Sequence, residues 1–185
     1  RRQLIYLIGL ALGFLIPFLA LYIKFSLDNK IKSRQDIEGK VSIPFIGDVP
    51  KSDNSNEMIQ ANSRTSSAES MRIVRTNLDF LLSSVPENRA KTIFTTSTFP
   101  KEGKTFISVN LAATFALSGK KVLLLGLDIR NPKLDQYMNI PTNGITSYLS
   151  SKDVEIENLI VKLDGYDNFY ILPAGIVPPN PAELL

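Results

Sequence analysis

The chain has 185 residues, with 21 basic and 18 acidic side chains and a formal net charge of +3. It has no Cys, which excludes disulfides and thiolate metal sites, and no His, which excludes a Ser–His–Asp triad and His-ligated zinc. Without Arg1, Arg2 and Lys24, which flank an uncharged stretch, basic and acidic residues are equal in number. A polyanion-binding domain would carry its excess in its folded part, so this charge points to a membrane and away from nucleic acid.

Leu4 to Ile23 is that uncharged stretch, twenty residues reading LIYLIGLALGFLIPFLALYI. As a helix it spans roughly 30 Å, about the thickness of a bilayer's hydrocarbon core. Tyr6 and Tyr22 sit near its ends, where amphipathic rings favour the interface, and Pro17 is a candidate kink. Lys24-Phe25-Ser26 follows in place of a small-residue cleavage site, which argues against a signal peptide. Lys24, Lys30, Lys32, Arg34 and Lys40 lie on the C-terminal side, against two arginines before the stretch, so that side is expected in the cytoplasm.

The expected organisation is a transmembrane helix with its flanks over 1–25, a juxtamembrane segment and linker over 26–65, and an α/β domain over 66–185. Ile43-Pro44-Phe45-Ile46-Gly47-Asp48-Val49-Pro50 is a proline-bracketed apolar run, expected as an edge strand or extension. Residues 51–66 are rich in Ser and Asn and are expected to form a flexible tether. Ser66 with Glu69 reads as a capping box, and Met71, Val74, Leu78, Leu81 and Leu82 continue an amphipathic helix to about Ser84. Glu69, Arg72 and Arg75 are spaced by threes along it, which by itself describes a solvated face with weak ion pairs.

Thr92 to Thr96 reads as a short strand, and Ala113, Phe115, Ala116 and Leu117 belong to a helix ending at Gly119. Between them lies Ser97-Thr98-Phe99-Pro100-Lys101-Glu102-Gly103-Lys104-Thr105. A strand, a loop carrying Gly-Lys-Thr and then a helix is the context of a phosphate-binding loop, although Thr98 occupies the usual first-glycine position. Loop amides and the helix N-terminus would meet phosphates, Lys104 would reach the β- and γ-phosphates, and the Thr105 hydroxyl would ligate Mg²⁺. Lys121 to Leu125 reads as a second buried strand; Asp128, just past it, could meet Mg²⁺ or serve as a helix cap or a partner for Arg130. Asn180-Pro181-Ala182-Glu183 reads as a helix start, so the chain is expected to be a fragment of a longer protein.

The stretch TSTFPKEGKTFISVNLAATFALSGKKVLLLGLDIRNPKL resembles the bacterial tyrosine kinases of capsular and exopolysaccharide export, P-loop proteins related to the MinD/ParA ATPases. The upstream membrane helix, IPFIGDVP, ESMRIVRTN and LPAGIVPPNPAELL agree with it. The resemblance implies a transmembrane helix followed by an incomplete P-loop (MinD/ParA-like) parallel-sheet domain, truncated before Walker B. It implies ATP and Mg²⁺ as cofactors, Lys104 and Asp128 as catalytic residues, and Thr105 and Asp128 at the metal. The nucleotide-binding set it implies is Thr98, Phe99, Pro100, Lys101, Glu102, Gly103, Lys104, Thr105, Phe106 and Arg130. Glu69, Arg72 and Arg75 match a motif that in relatives builds a ring-forming homo-oligomer, whose neighbours phosphorylate one another's tyrosines. The implied partners are further copies of the chain and the polysaccharide export machinery.

Two departures stand out. Gly126 replaces the first Asp of the family's Walker A′ motif, and Lys101 stands where relatives usually have Gly, which strains the loop if that position needs positive φ. Two other functions stay open: a nucleotide-binding regulator of chain length without phosphotransfer, and a MinD/ParA-like ATPase.

Overall fold

The computed structural model describes the chain except for residues 1, 29, 32, 38, 39, 53, 55, 87, 152 and 185, and except for the side chain of residue 182. The chain divides into two units, 1–45 and 46–185. In the first, helix α1 runs Arg2–Ser26 without a break at Pro17 and buries none of its side chains. At 1.5 Å per residue its 25 residues extend roughly 37 Å, and its length and composition suffice to cross a membrane. Phe18 and Tyr22, one turn apart, stack with centroids 6.5 Å apart. Beyond α1 a 3₁₀ turn covers Arg34–Asp36, and the Arg34 guanidinium lies 4.5 Å from the centre of the Phe45 ring.

The second unit is built on helix α3, Lys104–Leu117, whose small and branched residues let it lie close to a sheet. Val109, Ala112, Ala113 and Ala116 pack against Phe169 and Ile171 of the sheet and against Leu134 and Met138. Burying a Val or Ile side chain is worth about 1.5–3 kcal/mol relative to leaving it exposed. On the other side of α3, Leu111 and Phe115 meet Val74 of helix α2, Ser66–Leu81, so sheet, α3 and α2 form successive layers. Three strands make the sheet: β1 (Val122–Leu125), β2 (Val161–Lys162) and β3 (Phe169–Leu172), in the order β1-β3-β2. β1 pairs parallel to β3, from Val122 opposite Phe169 to Leu125 opposite Leu172, whereas β2 is antiparallel to β3. The expected parallel pairing is thus present in β1–β3, and the two-residue β2 adds an antiparallel edge. A short helix α4, Ile145–Ser150, lies on the crossover between β1 and β3.

Several expectations are corrected. The α2 cap is Thr65, one residue earlier than expected: its hydroxyl accepts from Ala68 N at 3.3 Å, while Glu69 pairs with Arg72. Thr92–Thr96 lies outside any strand, with Phe94 80% exposed, because no described strand offers it a ladder of hydrogen-bond partners. β1 is only half buried: Leu123 and Leu125 are 45% and 47% exposed, as befits an edge strand covered on one face. The proline-bracketed run forms no strand, but Ile46 and Val49 pack against the Val74 cluster. The helix start at Asn180 is a single 3₁₀ turn, Pro181–Glu183, with no side-chain cap.

The largest correction concerns the tether. Ile59 is fully buried with Ala68 and Met71, and Met58 packs against the sheet-side core. Asn110, buried in the middle of α3, accepts from Ile59 N at 2.8 Å and donates to Glu57 O at 2.9 Å. Glu57 in turn accepts from Ser52 and Thr65 hydroxyls, and Tyr166 Oη donates to Ile59 O at 2.5 Å. Two apolar residues and one buried amide thus order a stretch whose overall composition is polar, and the compact unit begins at Ile46.

Candidate functional site

After α3 the chain turns at Gly119 (φ 86°) and returns as β1, so the N-terminus of α3 and the carboxyl end of β1 lie at the same end of the unit. β3 is parallel to β1, which brings its following loop to that end as well. This is the edge at which ligands bind in open α/β sheets.

The loop before α3 folds on itself. The Ser97 hydroxyl donates to Phe99 O at 3.0 Å, and Phe99 N donates to Glu102 Oε2 at 3.1 Å. Lys101 adopts φ 67°, the one positive φ among the described non-glycine residues, so the strain foreseen at this position is present. Gly103 follows at φ 90°, ψ 12° and forms the N-cap of α3, where it has no side chain to occupy the first-turn amides. Lys104 and Thr105 begin the helix, both half-buried. Phe106 packs its ring against the Ile59 cluster. Open amides at a helix N-terminus with a lysine beside them fit a phosphate chain.

Asp128 is exposed past β1, and its Oδ1 accepts from Asn131 N at 3.0 Å, which closes a local turn where a helix cap was foreseen. Its other carboxylate oxygen remains for a cation. Arg130 is exposed. Among the described residues no three acidic side chains cluster as a metal cage. A hydroxyl and one carboxylate suit Mg²⁺, which takes its remaining ligands from phosphates and water. Gly126 is tightly enclosed: a β-carbon there would lie 2.9 Å from Leu134 Cδ1 and 3.0 Å from Ala174 N. An aspartate at this position would therefore displace its neighbours.

On α2, Arg72 is engaged within the chain, 2.6 Å from Glu69 Oε1 and donating to Ser63 O at 2.7 Å. Arg75 is half-buried, and its Nε is buried with no hydrogen-bond partner among the described residues.

Sequence reasoning missed β3, although Phe-Tyr-Ile-Leu between Asn168 and Pro173 carries a strand signal. It also missed the crossing beyond β3, where Ile145 N and Thr146 N donate to Pro173 O and Ala174 O, both at 2.9 Å. There Gly144 and Gly175 approach so closely that a β-carbon on Gly144 would collide with the 173–175 backbone.

No protein-family model matches the chain. It is 37% identical over 131 residues to the tyrosine-protein kinase YwqD of Bacillus subtilis, a match covering 70% of the chain and 53% of that protein. It is 29% identical to a protein named as a tyrosine-protein kinase in the cps region of Klebsiella pneumoniae, across 100% of the chain and 27% of that protein. The chain thus spans about a quarter to a half of the length of these relatives. The solved kinase domain of the Escherichia coli tyrosine kinase ETK superposes with a TM-score of 0.69 at 28% identity, covering 84% of this chain and 65% of that one.

Proposed function

The chain belongs to the bacterial tyrosine-protein kinases, and on that premise we propose that it is the nucleotide-binding part of a membrane-anchored, ATP-dependent tyrosine autokinase. The observation that carries the reading is the left-handed Gly103 opening α3 with Lys104 and Thr105, at the same end as Asp128. Lys104 would neutralise the β- and γ-phosphates, while Thr105 Oγ1 and an Asp128 oxygen would hold Mg²⁺. ATP, when bound, supplies the phosphoryl group. The amides of Thr98 to Phe106 would orient its phosphates, and Arg130 would add positive charge. Phosphoryl transfer needs little more from a protein than positioning and charge neutralisation.

In this reading α1 crosses the bacterial inner membrane with the second unit in the cytoplasm, where ATP is available and where the basic flank is expected. The role is to regulate export and chain length of a capsular polysaccharide or exopolysaccharide, supported by the cps-region name of one relative. Glu69, Arg72 and Arg75 would form the interface of a ring-forming homo-oligomer.

The test is incubation of the full-length protein with ATP and Mg²⁺. Tyrosine labelling is expected, and Lys104→Ala should lower it by at least a hundredfold; labelling that survives the substitution overturns the assignment. A second reading, a nucleotide-binding regulator without phosphotransfer, is favoured by the enclosed Gly126 in place of a carboxylate. Nucleotide binding with no labelling would select it.

A further inference from the structure

An autokinase needs tyrosines that can be reached, and the chain has six. Tyr6 and Tyr22 belong to α1. Tyr166 is committed to the fold: its hydroxyl donates to Ile59 O, its ring meets Phe169 edge-on at 5.4 Å, and burial pushes its pKa up to about 12. Tyr137 packs against the core beside α3, and burial raises its pKa as well. Tyr170 is half-buried on β3, with the Lys121 ammonium 5.4 Å from its ring centre.

Tyr148 differs from all of these. It lies on α4, is 42% exposed, joins no core cluster, and makes no hydroxyl hydrogen bond among the described residues. The preceding residues anchor it: Ile145 N and Thr146 N are bonded to the backbone just past β3, and Thr146 is buried against Gly175. Two residues on from Thr146 along a helix, a side chain points roughly to the opposite side, which accounts for the exposure of Tyr148. The anchorage past β3 puts it at the end of the sheet that carries the phosphate loop.

We propose that Tyr148 is a phosphorylation site, an acceptor served by the nucleotide site of a second copy of the chain. This rests on the autokinase reading above. The route through a second copy is part of the autokinase reading itself; the structure adds the residue, which the Gly144–Gly175 crossing and the Ile145 and Thr146 hydrogen bonds hold at the end of β3. In the step, Tyr148 Oη bonds to the γ-phosphorus of ATP and the bond from that phosphorus to the β,γ-bridging oxygen breaks. ADP leaves with the electron pair, and the phenolic proton passes to water.

The experiment mixes full-length wild-type protein with a size-tagged Lys104→Ala copy, adds ATP and Mg²⁺, and maps phosphotyrosine by mass spectrometry. Phosphate on Tyr148 of the Lys104→Ala copy is expected only when wild type is present. Tyr148→Phe in that copy should remove the phosphopeptide while leaving its melting temperature unchanged. Labelled protein with Tyr148 unmodified overturns the inference and leaves the autokinase reading standing. Label on Tyr148 of the wild-type chains alone overturns the route through a second copy. Label on the Lys104→Ala copy incubated by itself assigns the phosphate to another kinase and overturns the inference. No label anywhere overturns both readings.

Discussion

A single backbone angle describes the phosphate loop at the scale of one residue. Lys101 holds φ 67° between Pro100 and Glu102, a conformation glycine adopts freely and an L-residue only at a cost of about 1–2 kcal/mol. The strain is local, in a loop already closed by the Phe99–Glu102 and Ser97–Phe99 hydrogen bonds. Lys101→Gly should therefore stabilise the folded protein by about 1 kcal/mol, the relief being partly offset by the added freedom of glycine in the unfolded chain. Thermal unfolding at fixed pH checks this, and a lower melting temperature would show that the Lys101 side chain contributes more than its backbone costs. The sequence puts a lysine at this position, and the folded loop sets the sign of its φ.

At the scale of elements, α3 does two jobs with its first turn and its middle. Its first turn presents Lys104 and Thr105, while Asn110, one and a half turns on, latches the strap around Glu57 and Ile59. Asn110 is fully buried, and its amide satisfies one donor and one acceptor of a backbone stretch that would otherwise be buried unpaired. Asn110→Leu keeps the branched shape, is larger and removes both bonds, so it should destabilise the unit by about 3 kcal/mol. Chemical unfolding would measure that cost, and hydrogen exchange at Ile59 N should accelerate well beyond exchange at Val109 N. Equal acceleration at both would mean that the substitution loosens all of α3. An asparagine amid Phe-Ile-Ser-Val and Leu-Ala-Ala was a visible anomaly in an apolar helix, but its partners lie 51 and 53 residues away.

At the largest scale, the second unit is closed by the hydrogen bond of greatest sequence span among the described residues, Tyr166 to Ile59, which joins the hairpin between β2 and β3 to the strap. Burial raises the Tyr166 pKa from 10.0 to about 12. Between those values the unfolded chain releases the phenolic proton while the folded one keeps it. The contribution of this group is thus complete below pH 10 and is lost as the pH rises toward 12. Melting temperature should fall through that window, and Tyr166→Phe should lie lower at pH 8 but fall less steeply. Parallel curves for the two proteins would remove Tyr166 from the alkaline transition.

Local chemistry was legible without a structure. Twenty uncharged residues specify a helix of bilayer length, Gly-Lys-Thr before an apolar run specifies an open helix N-terminus, and the 3.6-residue period specifies α2, because each signal lies within one or two turns of chain. Tertiary structure decided the rest. It made β3 the central strand, left Thr92–Thr96 unpaired, drew Ile46 to Ser63 into the folded unit, and brought Gly144 against Gly175. The physical reason is common to all four. A strand or strap is ordered by partners that satisfy its amides and cover its apolar residues, and those partners are distant in sequence.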